Sequence, residues 1–211
     1  MRYHMRSLAI ACFLMTLTTS VHAQVGKNLG FVEPNLATRD QLLAIPGVNA
    51  ALADAVIAGK PYADMLALDR VVAQHVSGDA KTELYRRLFI PINLNAASQQ
   101  EILLVPGVGN RMLREFMEYR PYASLTVFDR EIGKYVDAAE VARLGQYVFV
   151  PIDLNTGSDA HFLTIPGVGT RMLREFKEYR PWQTMEQFDR EIGKYVPKTE
   201  VARLRRYVTI R

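Results

Sequence analysis

Apolar residues along this chain come in short bursts at helical spacing, broken at regular intervals by proline and glycine. In the middle of the chain Ile102, Leu103 and Val105 form one short apolar helix. Val108, Met112, Phe116 and Tyr119 then recur about once per turn and predict the buried face of a second helix. Between them lies Val105-Pro106-Gly107-Val108-Gly109. Proline sets φ near −65° at the second position of a turn, and glycine supplies the positive φ that a type II turn needs at the third. Pro121 ends the second helix, because the residue before a proline is pushed out of the α region. A third helix is predicted from about Ser124 to Glu131, with Phe128 in the core. Gly133-Lys134-Tyr135 makes a looser turn, and a fourth helix follows from Ala138 to Tyr147. Val148-Phe149-Val150-Pro151 then reads as an extended apolar tie to the next unit.

The same pattern occurs 60 residues earlier, on Ile45-Pro46-Gly47-Val48-Asn49, and 60 residues later, on Ile165-Pro166-Gly167-Val168-Gly169. Repetition at this period means one supersecondary unit used three times. The copies span residues 33–92, 93–152 and 153–211, after a polar leader over 24–32. Thr38-Arg39-Asp40-Gln41 and Ser98-Gln99-Gln100-Glu101 match the capping box that opens a helix; Ser158 opens the third copy, with His161 at the return position. Each copy is thus two helix-turn-helix pairs, and the fold class is all-α. A 60-residue unit is marginal in core size, so packing between copies adds to its stability.

The N-terminus departs from this pattern. Arg2 and Arg6 precede a short apolar core from Leu8 to Leu17, and Val21-His22-Ala23 fits a cleavage site. Residues 1–23 therefore read as a signal peptide cut after Ala23, which makes the mature chain periplasmic or secreted. The apolar core is too short for an anchor, and no membrane span is expected after signal removal. Cys12 is the only cysteine and falls within the signal. The formal net charge of +4 drops to +2 once Arg2 and Arg6 are set aside, which weakens the case for a polyanion partner that the pI of 9.2 suggests. Copies one and two each hold six basic and seven acidic residues, whereas copy three holds eleven and eight. Arg203, Arg205, Arg206 and Arg211 crowd its end, so copy three should dominate any contact with a polyanion.

The run N-L-N-x-A-S, an apolar helix, P-G-V-G, a helix ending in Tyr-Arg and a Pro-aromatic pair resembles the helix-hairpin-helix domain of the ComEA competence proteins. The resemblance covers all three copies. It implies three tandem helix-hairpin-helix units that bind double-stranded DNA through backbone phosphates, without sequence preference, in DNA uptake. The binding positions it implies are Gly107, Val108, Gly109, Gly167, Val168 and Gly169, followed by Arg111, Arg114, Arg171 and Arg174. Amides and arginines aimed at phosphates position a duplex but do not read its bases. Copy one has Asn49, Ala51 and Asp54 in place of Gly, Arg and Arg, and reads as a degenerate, structural copy. Lys134 and Lys194, in the second turn, are weaker candidates for a phosphate contact.

Two readings of the arginines stand side by side. Arg111 and Arg114 precede Glu115 and Glu118 by four residues, a spacing that also suits surface ion pairs of about 0.2–0.5 kcal/mol. A rival function is also open: a structural or adaptor protein that contacts an envelope partner, as the similar hairpin units of the photosystem II subunit PsbU do. Enzymatic chemistry is not expected. The mature chain has no thiol, no Ser/His/Asp cluster and no cofactor or metal-ligand spacing among His22, His75 and His161.

Overall fold

A computed structural model describes residues 30–211; the expected signal peptide and the leader up to residue 29 lie outside the described residues. Copy one supplies α1 (Arg39–Leu43), α2 (Ala50–Ala58), α3 (Met65–Val72) and α4 (Gly78–Tyr85). Next come β1 (Ile92–Asn93), α5 (Gln99–Leu103), α6 (Asn110–Glu118), α7 (Leu125–Ile132), α8 (Ala138–Gly145) and β2 (Val148–Phe149). The last copy gives β3 (Ile152–Asp153), α9 (Asp159–Phe162), α10 (Thr170–Glu178), α11 (Met185–Ile192), α12 (Lys198–Arg205) and β4 (Val208–Thr209). Among the described residues the chain is mostly helical, with twelve helices and four two-residue strands.

The helices start where their caps dictate. Thr38 and Ser98 close full capping boxes with Gln41 and Glu101, and Ser158 accepts from the His161 amide. Asp64, Ser124 and Thr184 cap the third helix of each copy by accepting from the N3 amide. Each such side chain satisfies a backbone donor that the helix itself leaves free. Buried faces follow the apolar pattern with one difference. On α6 Phe116 is fully buried, but Leu113 shares the core with it while Met112 and Tyr119 are only partly covered. The fourth helix also stops at Gly145, two residues before the expected Tyr147.

The Val148–Pro151 stretch does more than lead onward. β2 pairs in parallel with β1, Ile92 against Val148, so the exit of copy two lies beside its own entrance. β3 and β4 repeat this in copy three, and a Val32–Leu88 bridge repeats it in copy one. Each copy is closed by its own ends. A second closure comes from an asparagine. Asn95 Oδ1 accepts from the Tyr122 amide at 2.7 Å while its Nδ2 donates to the Tyr122 carbonyl at 2.9 Å. Asn35 does the same to Tyr62, and Asn155 to Trp182. The clamped residue follows a proline whose peptide bond is cis in all three copies.

The copies are held together by rings at their ends. Phe89 meets Tyr147 edge-on at 4.9 Å, Phe149 meets Tyr207 at 4.6 Å, and Phe31 stacks on Tyr147 at 5.4 Å. Burial of such side chains contributes about 1.5–3 kcal/mol each, with a further increment for edge-to-face geometry. Copies one and two share one continuous core, and Phe149 links it to the core of copy three. Copy three also touches the start of copy one, where the Glu33 carboxyl is buried under the charges of Arg203 and Arg206. Arg206 further donates to the Pro91 carbonyl at 3.0 Å. Among the described residues no helix is long and apolar enough to cross a membrane.

Candidate nucleic-acid interface

The three Pro-Gly turns have one geometry. The Val108 amide donates to the Val105 carbonyl at 3.0 Å, and the same bond closes the turns at Ile45 and Ile165. Gly47, Gly107 and Gly167 have φ of 85°, 84° and 79°, the left-handed conformation that a side chain resists. Val108 and Val168 are buried, so they anchor the turn from inside, while Gly107, Gly109, Gly167 and Gly169 are exposed.

The residue after the turn separates copy one from the others. Asn49 caps α2 with its own side chain, accepting from the Leu52 amide at 2.9 Å. Gly109 and Gly169 take the same backbone conformation at the start of α6 and α10 but have no side chain to cap them. The first amides of these two nine-residue helices therefore point outward with no side-chain acceptor, at the positive end of the helix dipole.

Arg111, Arg114, Arg171 and Arg174 are all exposed on the first two turns of those helices. Among the described residues, Arg111, Arg114 and Arg171 have no carboxylate within 4.0 Å; Arg174 reaches only its neighbour Glu175, at 3.6 Å. The ion pairs with Glu115 and Glu118 do not form. Glu115 instead buries its Oε2, which has no hydrogen-bond partner, and its carboxylate acts on Tyr135, whose hydroxyl meets that of Tyr119 at 2.8 Å; Glu175, Tyr195 and Tyr179 repeat the set, with 2.9 Å between the hydroxyls. These carboxylates push the Tyr135 and Tyr195 hydroxyls upward in pKa, second only to the tyrosine–tyrosine bond. In copy one, Asp54 stands in place of the arginine and pairs with Arg39 at 2.6 Å.

Other basic residues are already engaged. Lys134 pairs with Glu131 and lies 5.0 Å from the Tyr119 ring centre; Lys194 does likewise with Glu191 and Tyr179, at 5.5 Å. The hydrogen bond to Glu131 pushes the Lys134 pKa up, and the Lys134 bond pulls that of Glu131 down. The C-terminal arginines, expected to dominate contact with a polyanion, are largely spent inside the protein. Arg203 is buried in a two-pronged bond to Glu200, at 2.7 and 2.6 Å, and Arg205 pairs with Asp189. Arg206 is held by the Pro91 carbonyl, and Arg211 is exposed with its backbone amide donating to Asp153 Oδ2 at 2.9 Å, its guanidinium in no ion pair among the described residues.

Sequence reasoning missed two features near the turns. Arg143 and Arg203, from the fourth helix of their copies, reach back to the turn glycine, with Nη2 within 2.9 and 3.2 Å of where a Cβ on Gly107 or Gly167 would sit. Leu43, Leu103 and Leu163 are exposed at or next to the end of the helix before each turn. Both sets recur at the 60-residue period, which is the signal that could have found them. Comparison with protein-family models, curated proteins and solved structures finds no match to the chain.

Proposed function

We propose that this is an exported protein of three tandem helix-hairpin-helix units, similar to the ComEA competence proteins, that binds double-stranded DNA through its phosphates without sequence preference and serves in DNA uptake. One observation carries the reading: copies two and three each pair an uncapped helix start with exposed arginines, and copy one has neither. A phosphate fits such a pair, taking hydrogen bonds from outward amides and charge from the guanidiniums. Copy one supplies structure, and Arg111, Arg114, Arg171 and Arg174 supply the charge. With the mature charge near +2, affinity is modest and strongly salt-dependent.

The test is a fluorescence anisotropy titration of residues 24–211 against a short random duplex at several salt concentrations. The parent should bind with affinity that falls steeply with salt. Arg111→Ala with Arg171→Ala should weaken binding and flatten the slope by about 1.8 in log K against log salt. A double variant with unchanged affinity and slope refutes the reading.

One observation favours a second reading, a structural or adaptor protein in the cell envelope. An exposed leucine beside every turn suits a protein surface better than a phosphate backbone. On that reading the protein binds no duplex even at low salt and is recovered with a stable envelope partner.

A further inference from the structure

Copies two and three share a second set of residues that copy one lacks. On α6, Glu115 buries its Oε2 with no hydrogen-bond partner among the described residues; Glu175 does the same on α10 and is only 3% exposed. Beside each carboxylate lies a pair of half-buried tyrosines. The Tyr119 and Tyr135 hydroxyls meet at 2.8 Å with ring centres 6.4 Å apart, and those of Tyr179 and Tyr195 meet at 2.9 Å. Lys134 stands over the Tyr119 ring and pairs with Glu131, as Lys194 does with Tyr179 and Glu191. At the same positions copy one has Ala55 for the glutamate, Gly59 and His75 for the tyrosines, and Gln74 for the lysine. It also has Ala51 and Asp54 where the others carry arginine. The glutamate, the two tyrosines and the arginines thus occur together or not at all.

Glu115 follows Arg111 by four residues, and Glu175 follows Arg171 by four, the spacing at which a helix lets the two charges meet. Among the described residues neither arginine has a carboxylate within 4.0 Å, and Glu175 reaches only Arg174, at 3.6 Å. A carboxylate oxygen left buried without a partner is costly, so the inward orientation needs a polar group to hold it. The tyrosine pair supplies that group. Swung outward, the same carboxylate would neutralise a guanidinium on the exposed face of the helix.

We propose that Tyr135 and Tyr195, each joined to its partner tyrosine, are positioning residues of the phosphate site: they keep the Glu115 and Glu175 carboxylates inside and so leave Arg111 and Arg171 unpaired for an anion. The identity of that anion rests on the DNA-binding reading; the freeing of the arginines does not.

Tyr135→Phe with Tyr195→Phe keeps both rings and removes the hydroxyls. In the anisotropy titration, affinity should fall about twofold for each arginine drawn into a pair, four- to fivefold together. The salt slope should flatten, by at most about 1.8 in log K against log salt. Adding Glu115→Gln with Glu175→Gln should return affinity and slope to the parent values, because an amide that swings outward brings no charge to the arginines. A merely structural role for the tyrosines predicts no such rescue. Without DNA, the rate at which phenylglyoxal modifies Arg111 and Arg171, read by mass spectrometry, should fall about twofold in the phenylalanine variant and recover with the glutamines. A parent that binds duplex, with a phenylalanine variant unchanged in affinity and modification rate, overturns the proposal and leaves the DNA reading standing. So does a loss that the glutamines fail to rescue. A parent that binds no duplex at low salt overturns the DNA reading instead, and the modification rates then decide by themselves whether the tyrosines free the arginines.

Discussion

Converting the turns of copies two and three to the form found in copy one tests DNA contact without harming the fold. Gly109 has φ −106° and ψ −177°, Gly169 has −109° and −174°, and Asn49 has −98° and 174°. A Cβ at Gly109 or Gly169 meets nothing within 4 Å. Gly109→Asn with Gly169→Asn should therefore place a side-chain oxygen on the N3 amide, as Asn49 does on Leu52 at 2.9 Å. Asparagine exceeds glycine as an N-cap by a few tenths of a kcal/mol, about 0.3 per helix, so the melting temperature should hold or rise slightly. Binding should move the other way. A hydrogen bond to a charged acceptor is worth about 1.5–3 kcal/mol. A phosphate that loses one of several amides should lose roughly 1–2 kcal/mol per turn, about 5- to 30-fold in affinity. No cation is removed, so the salt slope should stay where it was. Anisotropy titrations paired with thermal melts read both quantities. A double variant that melts at or above the parent and binds duplex within about twofold of it would refute the claim that these amides hold phosphates.

Asn95→Ala removes both bonds to the Tyr122 backbone and should cost about 2–4 kcal/mol, measured by urea denaturation; a loss under about 1 kcal/mol would mean that water replaces the clamp. Glu33 is faced by Arg203, Arg206, Lys60 and Tyr207, yet burial is the largest effect and raises its pKa above the ordinary 4.5. Its contribution to stability is therefore full below about 4.5 and lost as pH rises through the folded pKa. Glu33→Gln should flatten the pH dependence of unfolding in that window and leave the protein relatively more stable above it; an unchanged profile would show that the arginines, not burial, govern this carboxyl.

The helices and turns of this protein are legible in its sequence because their causes are local. A capping hydroxyl, a proline at the second turn position and a glycine at the third act within four residues, so Ser98 and Val105-Pro106-Gly107-Val108 declare α5 and the turn after it. The absence of a cap at Gly109 is equally readable, since it needs only the missing side chain. The other features depend on partners far along the chain. Asn95 looks like one more polar residue of a helix entrance until the fold brings Tyr122 against it. Spacing alone offers Glu115 to Arg111 four residues before it; the tertiary structure turns it toward Tyr135 and leaves the arginine free. The arginines of α12 look like a solvated basic cluster, yet packing against copy one buries Arg203 and ties Arg206 to Pro91. Sequence spacing thus determined which elements form and which backbone amides stay open. Only the tertiary structure decided which charges remain available, because a side chain's charge is neutralised by whatever the fold sets within about 4 Å of it, and that neighbour is seldom its neighbour in sequence.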